Sequence, residues 1–87
     1  MVGMKELRRS DEISFKLKME RGVSFDEIVA GRFLGIEESL SREHQWLMIF
    51  EVNGYTWVAP YVDAGEHFFL KTAFPSRKHT KIYLEGT

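Results

Sequence analysis

The stretch Trp46-Leu47-Met48-Ile49-Phe50-Glu51-Val52-Asn53-Gly54-Tyr55-Thr56-Trp57-Val58-Ala59-Pro60-Tyr61-Val62 consists of two largely apolar runs joined by Asn-Gly. That dipeptide tolerates the two positive φ values of a type I′ turn, so the stretch reads as a tight β-hairpin. The turn also sets the register. With Val52 opposite Tyr55, Phe50 falls opposite Trp57, Met48 opposite Ala59 and Trp46 opposite Tyr61, all on one face, while Leu47, Ile49 and Val58 lie on the other. Both faces are apolar, so this sheet is expected to be covered on both sides, by helices or by a partner. Pro60 has no N–H and predicts a bulge or a strand edge near the far end of the hairpin.

Beyond the hairpin, Ala64-Gly65-Glu66 reads as a turn and His67 to Phe74 as a third strand, with Phe68, Leu70, Thr72 and Phe74 on one face. Pro75 ends it, and Ser76 is placed to cap a short last helix whose start would attract anions. On the N-terminal side, Ser24 and Glu27 have capping-box spacing, with Val23 and Ile28 at hydrophobic-staple positions. A short helix is therefore expected from Phe25, running through Ile28, Val29 and Phe33 and weakening at Gly31 and Gly35. Leu34 to Leu40 follows as a short strand. Residues 12–20 alternate apolar and polar, the period of a strand. Ser10 or Asp11 as a cap, acids in the first turn and Gly22 as a left-handed stop favour a helix instead. The expected fold is a single α+β domain, residues 1–87 with 1–10 flexible: two N-terminal helices, a small antiparallel sheet of three to four strands around the Asn-Gly hairpin, and a short C-terminal helix.

Eighty-seven residues without cysteine exclude disulfides, a thiolate nucleophile and a cysteine zinc site, so nothing calls for an oxidising compartment and a cytoplasmic setting is expected. No run approaches the ~18 apolar residues of a membrane span, and the first twelve residues lack the apolar middle of a signal peptide. His44, His67 and His79 show no metal-ligand spacing, and P-loop, GxSxG and GxGxxG motifs are absent. No metal or cofactor is expected.

The net charge is −1, but no Asp or Glu occurs between His67 and Leu84, where Lys71, Arg77, Lys78, His79 and Lys81 fall. With Tyr83, these are the side-chain types that metal-independent RNA cleavage uses: cations for the phosphorane charge, with histidine or tyrosine to move protons. Lys71, Lys81 and His67 would contact RNA, and Arg77, Lys78, His79 and Tyr83 would carry the chemistry. A basic last helix is more often a solvated face, since helix C-termini favour Lys and Arg in any case. Trp46, Phe50, Tyr55, Trp57 and Tyr61 invite a base-stacking reading, but a face so aromatic is more often core.

Two stretches resemble a known family. Glu20-Arg21-Gly22-Val23-Ser24-Phe25-Asp26-Glu27 and Lys71-Thr72-Ala73-Phe74-Pro75-Ser76-Arg77-Lys78-His79-Thr80 are similar to segments of the BrnT-like toxins of bacterial type II toxin-antitoxin pairs, ribonucleases of RelE-like fold. With the hairpin between them, the likeness covers most of residues 12–84. It implies a curved antiparallel sheet with helices on one side, an endoribonuclease that inhibits translation, and a DNA-binding antitoxin as partner in a hetero-oligomer or alongside a homodimer. By position, Arg77 and Lys78 match that family's basic pair and Tyr83 its late tyrosine. The alternative is a non-enzymatic module that binds protein through the apolar sheet face or RNA through the basic last helix.

Overall fold

A computed structural model describes residues 6–39 and 45–85. The order is β1 (Glu6–Arg9), α1 (Asp11–Arg21), α2 (Phe25–Val29), β2 (Arg32–Glu38), β3 (Trp46–Val52), β4 (Tyr55–Asp63), β5 (His67–Leu70), β6 (Phe74–Pro75) and α3 (Arg77–Tyr83). The α+β class holds, but among the described residues the sheet has six strands rather than three to four. A strand also precedes the helices, at positions expected to be flexible. The sheet is mixed, running β1-β5-β4-β3-β2 with β6 also on β4, and β1 pairs in parallel with β5.

The hairpin forms as its sequence dictates. Asn53 and Gly54 both have positive φ, 53° and 81°, and the pairs Val52–Tyr55, Phe50–Trp57, Met48–Ala59 and Trp46–Tyr61 all form. Residues 12–20 are helical. Ser10 caps α1 and Gly22 ends it, and these end signals outweigh the period-two pattern: only Leu17 is fully buried, while Phe15 and Met19 are 68% and 70% exposed. Ser24 and Glu27 complete their capping box at the start of α2, and the Phe25 N–H donates to the Ser14 hydroxyl of α1, 3.2 Å away. This helix stops at Val29 instead of reaching Phe33, which lies in β2 opposite Phe50. The stop coincides with a close approach, since a Cβ on Gly31 would collide with the carbonyl oxygen of Glu51 in β3. The strand placed at Leu34–Leu40 is β2. It starts earlier, at Arg32, and ends at Glu38, with an irregularity between Phe33 and Gly35. Leu40 and His44 lie outside the described residues.

The strand expected over His67–Phe74 is broken in two. Residues 71–73 leave the ladder after Leu70, and the chain rejoins β4 at Phe74 and Pro75, opposite Val58 and Trp57. Pro60 sits across from this break. It has no N–H for a neighbour on that side, and its carbonyl accepts from the Lys71 N–H at 2.8 Å.

Both faces of the sheet are covered by the chain's own helices. Leu17 of α1 and Phe25 and Ile28 of α2 pack with Met48, Phe50, Trp57, Ala59 and Tyr61. Thr80 of α3 accepts from the Thr56 N–H at 2.9 Å, and His79 and Tyr83 reach across β3 to Glu37 of β2. Glu37 pairs with Leu47, so α3 lies over the opposite face, that of Leu47, Ile49 and Val58. Helices on one side only, as the family resemblance implied, are therefore not what this chain has. Among the described residues no helix is long and apolar enough to cross a membrane.

Candidate functional site

The basic C-terminal segment meets its acid from another strand. Ser76 caps α3, its hydroxyl accepting from the His79 backbone N–H at 3.1 Å, and this cap fixes the first turn so that the His79 ring points back over the sheet. The ring is held at both nitrogens, with Nδ1 2.7 Å from Ser76 Oγ and Nε2 3.1 Å from Glu37 Oε1. One turn on, the Tyr83 hydroxyl donates to the other carboxylate oxygen, Oε2, at 2.7 Å, and its ring stacks on that of His79 with centroids 6.3 Å apart. The result is a linear array, Ser76–His79–Glu37–Tyr83.

Its electrostatics follow from these contacts. Burial pushes the Glu37 carboxyl up, but hydrogen bonds from Tyr83 and His79, with the charges of His79 and Lys78 nearby, outweigh it and hold the group below its ordinary value. Tyr83 is pushed up to about 12, first by its hydrogen bond to Glu37 and then by burial. The phenol therefore stays protonated across the physiological range. Stability contributed through Glu37 is present above the ordinary carboxylate pKa and is lost as pH falls through its lowered value. Stability contributed through Tyr83 is complete below the ordinary tyrosine value near 10 and is lost as pH rises through about 12. In a spectrophotometric titration of the tyrosines, one component is expected to ionise near 12, to vanish in Tyr83→Phe and to return toward 10 in Glu37→Gln. A wild-type protein with no component near 12 would contradict the array.

Beside the array a cleft of about 480 Å³ opens over Leu47 and Pro60. Lys71, Lys78, His79 and Glu37 line it, together with Gln45 and the ring of Phe74, which is 38% exposed. The break in the ladder at residues 71–73 is what brings Lys71 here. Lys71 Nζ also lies over the Phe69 ring, 5.8 Å from its centroid.

Of the residues singled out in the sequence, Lys71, Lys78 and His79 are thus gathered on one cleft. Arg77 and Lys81 are exposed on α3 and do not line it, and His67 stands at the start of β5, paired with Glu6 of β1. Tyr83 also lies outside the cleft lining and acts on Glu37. The aromatic hairpin face is core, with Trp57 and Tyr61 buried and Trp46 and Tyr55 exposed only at its ends. Sequence reasoning missed Glu37, which is 42 residues from His79 and belongs to a segment read only as a short strand. Among the described residues, no three His, Asp or Glu side chains are grouped so as to hold a metal ion.

Comparison with protein-family models, with curated proteins and with solved structures finds no match to this chain.

Proposed function

We propose that this protein is a metal-independent endoribonuclease, the toxin of a bacterial type II toxin-antitoxin pair that cuts RNA in the cytoplasm, inhibits translation and is neutralised by a DNA-binding antitoxin. On this reading the α+β fold is a variant of the RelE-like one. The supporting observation is the meeting of Lys71, Lys78, His79 and Glu37 on one cleft. A carboxylate weakens a site that only binds phosphate, through like-charge repulsion. Hydrogen-bonded to an imidazole, it supplies a proton acceptor and a proton donor in one site.

The chemistry balances without water or metal. Glu37 takes the proton of the 2′-hydroxyl as that oxygen attacks the adjacent phosphorus. Lys71 and Lys78 stabilise the charge of the pentacovalent state. Protonated His79 gives its Nε2 proton to the departing 5′-oxygen, leaving a 2′,3′-cyclic phosphate and a 5′-hydroxyl. Glu37 then returns the proton to His79 across their 3.1 Å hydrogen bond. Ser76 Oγ accepts from Nδ1 and orients the ring, Tyr83 orients the carboxylate, and Phe74 offers a base a stacking surface.

The test is purified protein with labelled RNA in excess EDTA. Cleavage to cyclic-phosphate ends is expected, with a loss of about tenfold or more in kcat/KM for Lys78→Ala. Intact RNA and no growth arrest on expression would remove the enzyme. A second reading, a protein-binding module, has its own observation: Phe33 and Ile36 on edge strand β2 and Trp46 on β3 share one face and remain exposed. It expects a stable protein complex with no loss of RNA.

A further inference from the structure

The Lys71–Thr72 stretch borders a second cleft. About 310 Å³ in volume, it lies against α1, is walled by Ile13 and Leu17, and is bordered by Lys16 and Glu20. Lys71 and Thr72 line both clefts, which open on opposite faces of the sheet and meet at this stretch, where the ladder is broken. Each is as large as the smaller ligand clefts of proteins, roughly 300 Å³ and above.

The cations along this path, Lys16, Lys71 and Lys78, like Arg21 and Arg77, have no ion pair among the described residues. Lys18 of α1 is held by Glu27 at 2.6 Å, and Arg32 of β2 by Glu51 at 2.9 Å. Glu12 and Glu20, one turn to either side of Lys16, are exposed and only weaken the local potential, since such helix-surface pairs are worth a few tenths of a kcal/mol and are screened by salt. On the far side the Glu37 charge is taken up by Tyr83 and His79, while exposed Glu38 also borders that cleft and weakens its potential.

We infer that Lys16 forms a second phosphate-binding position, so that a single-stranded RNA runs from α1 across Lys71 into the cleft of Lys78 and His79. This rests on the ribonuclease reading above and adds its substrate class: a strand of several nucleotides rather than a dinucleotide. Lys16, Lys71 and Lys78 border the two clefts in turn, so a strand bent round the edge at Lys71 and Thr72 would offer each a phosphate, and the apolar wall of Ile13 and Leu17 gives a sugar or base a surface to lie against. A mononucleotide would occupy one cleft and leave Lys16 unused.

The test uses 2′-O-methyl RNA of three and of eight nucleotides, which cannot be cleaved, with affinity read by fluorescence anisotropy over a range of salt. For the eight-mer, Lys16→Ala is expected to weaken binding about fivefold and to lower the slope of log K against log salt by about 0.7, the loss of one phosphate contact. The trimer should bind as to wild type, and Lys16→Arg should restore the eight-mer. Lys16 is exposed, so circular dichroism should be unchanged in both variants. An eight-mer affinity and slope unaltered by Lys16→Ala overturn the second position while wild-type cleavage of unmodified RNA leaves the enzyme reading standing. A wild-type protein that neither binds nor cuts overturns both.

Discussion

Replacing His79 with alanine is expected to lower the rate of RNA cleavage by about 10²–10⁴-fold while leaving affinity for uncleavable RNA near wild type. Proton transfer by a positioned side chain contributes about that much to a rate, whereas phosphate binding is left to Lys71 and Lys78. Glu37→Gln separates acid–base work from simple support. Glutamine keeps an oxygen for the Tyr83 hydroxyl but cannot take a proton from the 2′-hydroxyl, so its kcat should fall nearly as far as that of His79→Ala. In the proposed mechanism the two residues pass one proton between them, so the double variant should be little worse than either single one. The rate of the wild type should rise as Glu37 ionises, below the ordinary carboxylate range. Lys78→Ala should leave that pH profile in place and lower kcat/KM at every pH. If His79→Ala cleaves RNA at the wild-type rate while its dichroism is unchanged, the array serves only to fasten α3 to β2.

Features whose physics is local were legible in the chain. Asn53-Gly54 determined seven residue pairs because a two-residue turn leaves one register, and side chains alternate from there. Ser24 with Glu27, and Ser76 before Arg77, announced helix starts because a hydroxyl three residues ahead of a backbone N–H satisfies it. Residues 12–20 show how far a local pattern can mislead: four alternating apolar side chains resemble a strand, yet the capping residues at either end determine the helix and two of the four remain in solvent. The features that stayed hidden depend on distant partners. β1 becomes a strand only because β5 offers it a parallel edge. The break at 71–73 matches a missing N–H at Pro60, eleven residues earlier. Glu37 gains its role from a helix that crosses the sheet more than forty residues later. The cleft was half legible for the same reason: its cations share one stretch of sequence, and its carboxylates, Glu37 and Glu38, lie elsewhere.

Phe25→Ala is expected to leave the chain mostly unfolded. The side chain is fully buried, packed among Leu17, Ile28 and the Met48–Phe50–Trp57 face, and removing a buried phenylalanine costs about 3–5 kcal/mol. A chain of 87 residues has a total stability of about 4–13 kcal/mol at ordinary values per residue, and domains near this size lie toward the lower end. In urea the midpoint should fall by about 2–4 M, or the transition should begin without denaturant. Phe15→Ala is the control, since that ring is two-thirds exposed on α1 and its loss should change stability by no more than about 0.5 kcal/mol. Equal shifts for the two variants would mean that the helices do not pack on the sheet as described. Phe25 and the Glu37–His79 pair lie on opposite faces of the sheet, so the variant can lose the cleft only by losing the fold. With two-state unfolding, tyrosine signals from Tyr83 and tryptophan signals from Trp57 should therefore be lost at the same urea concentration.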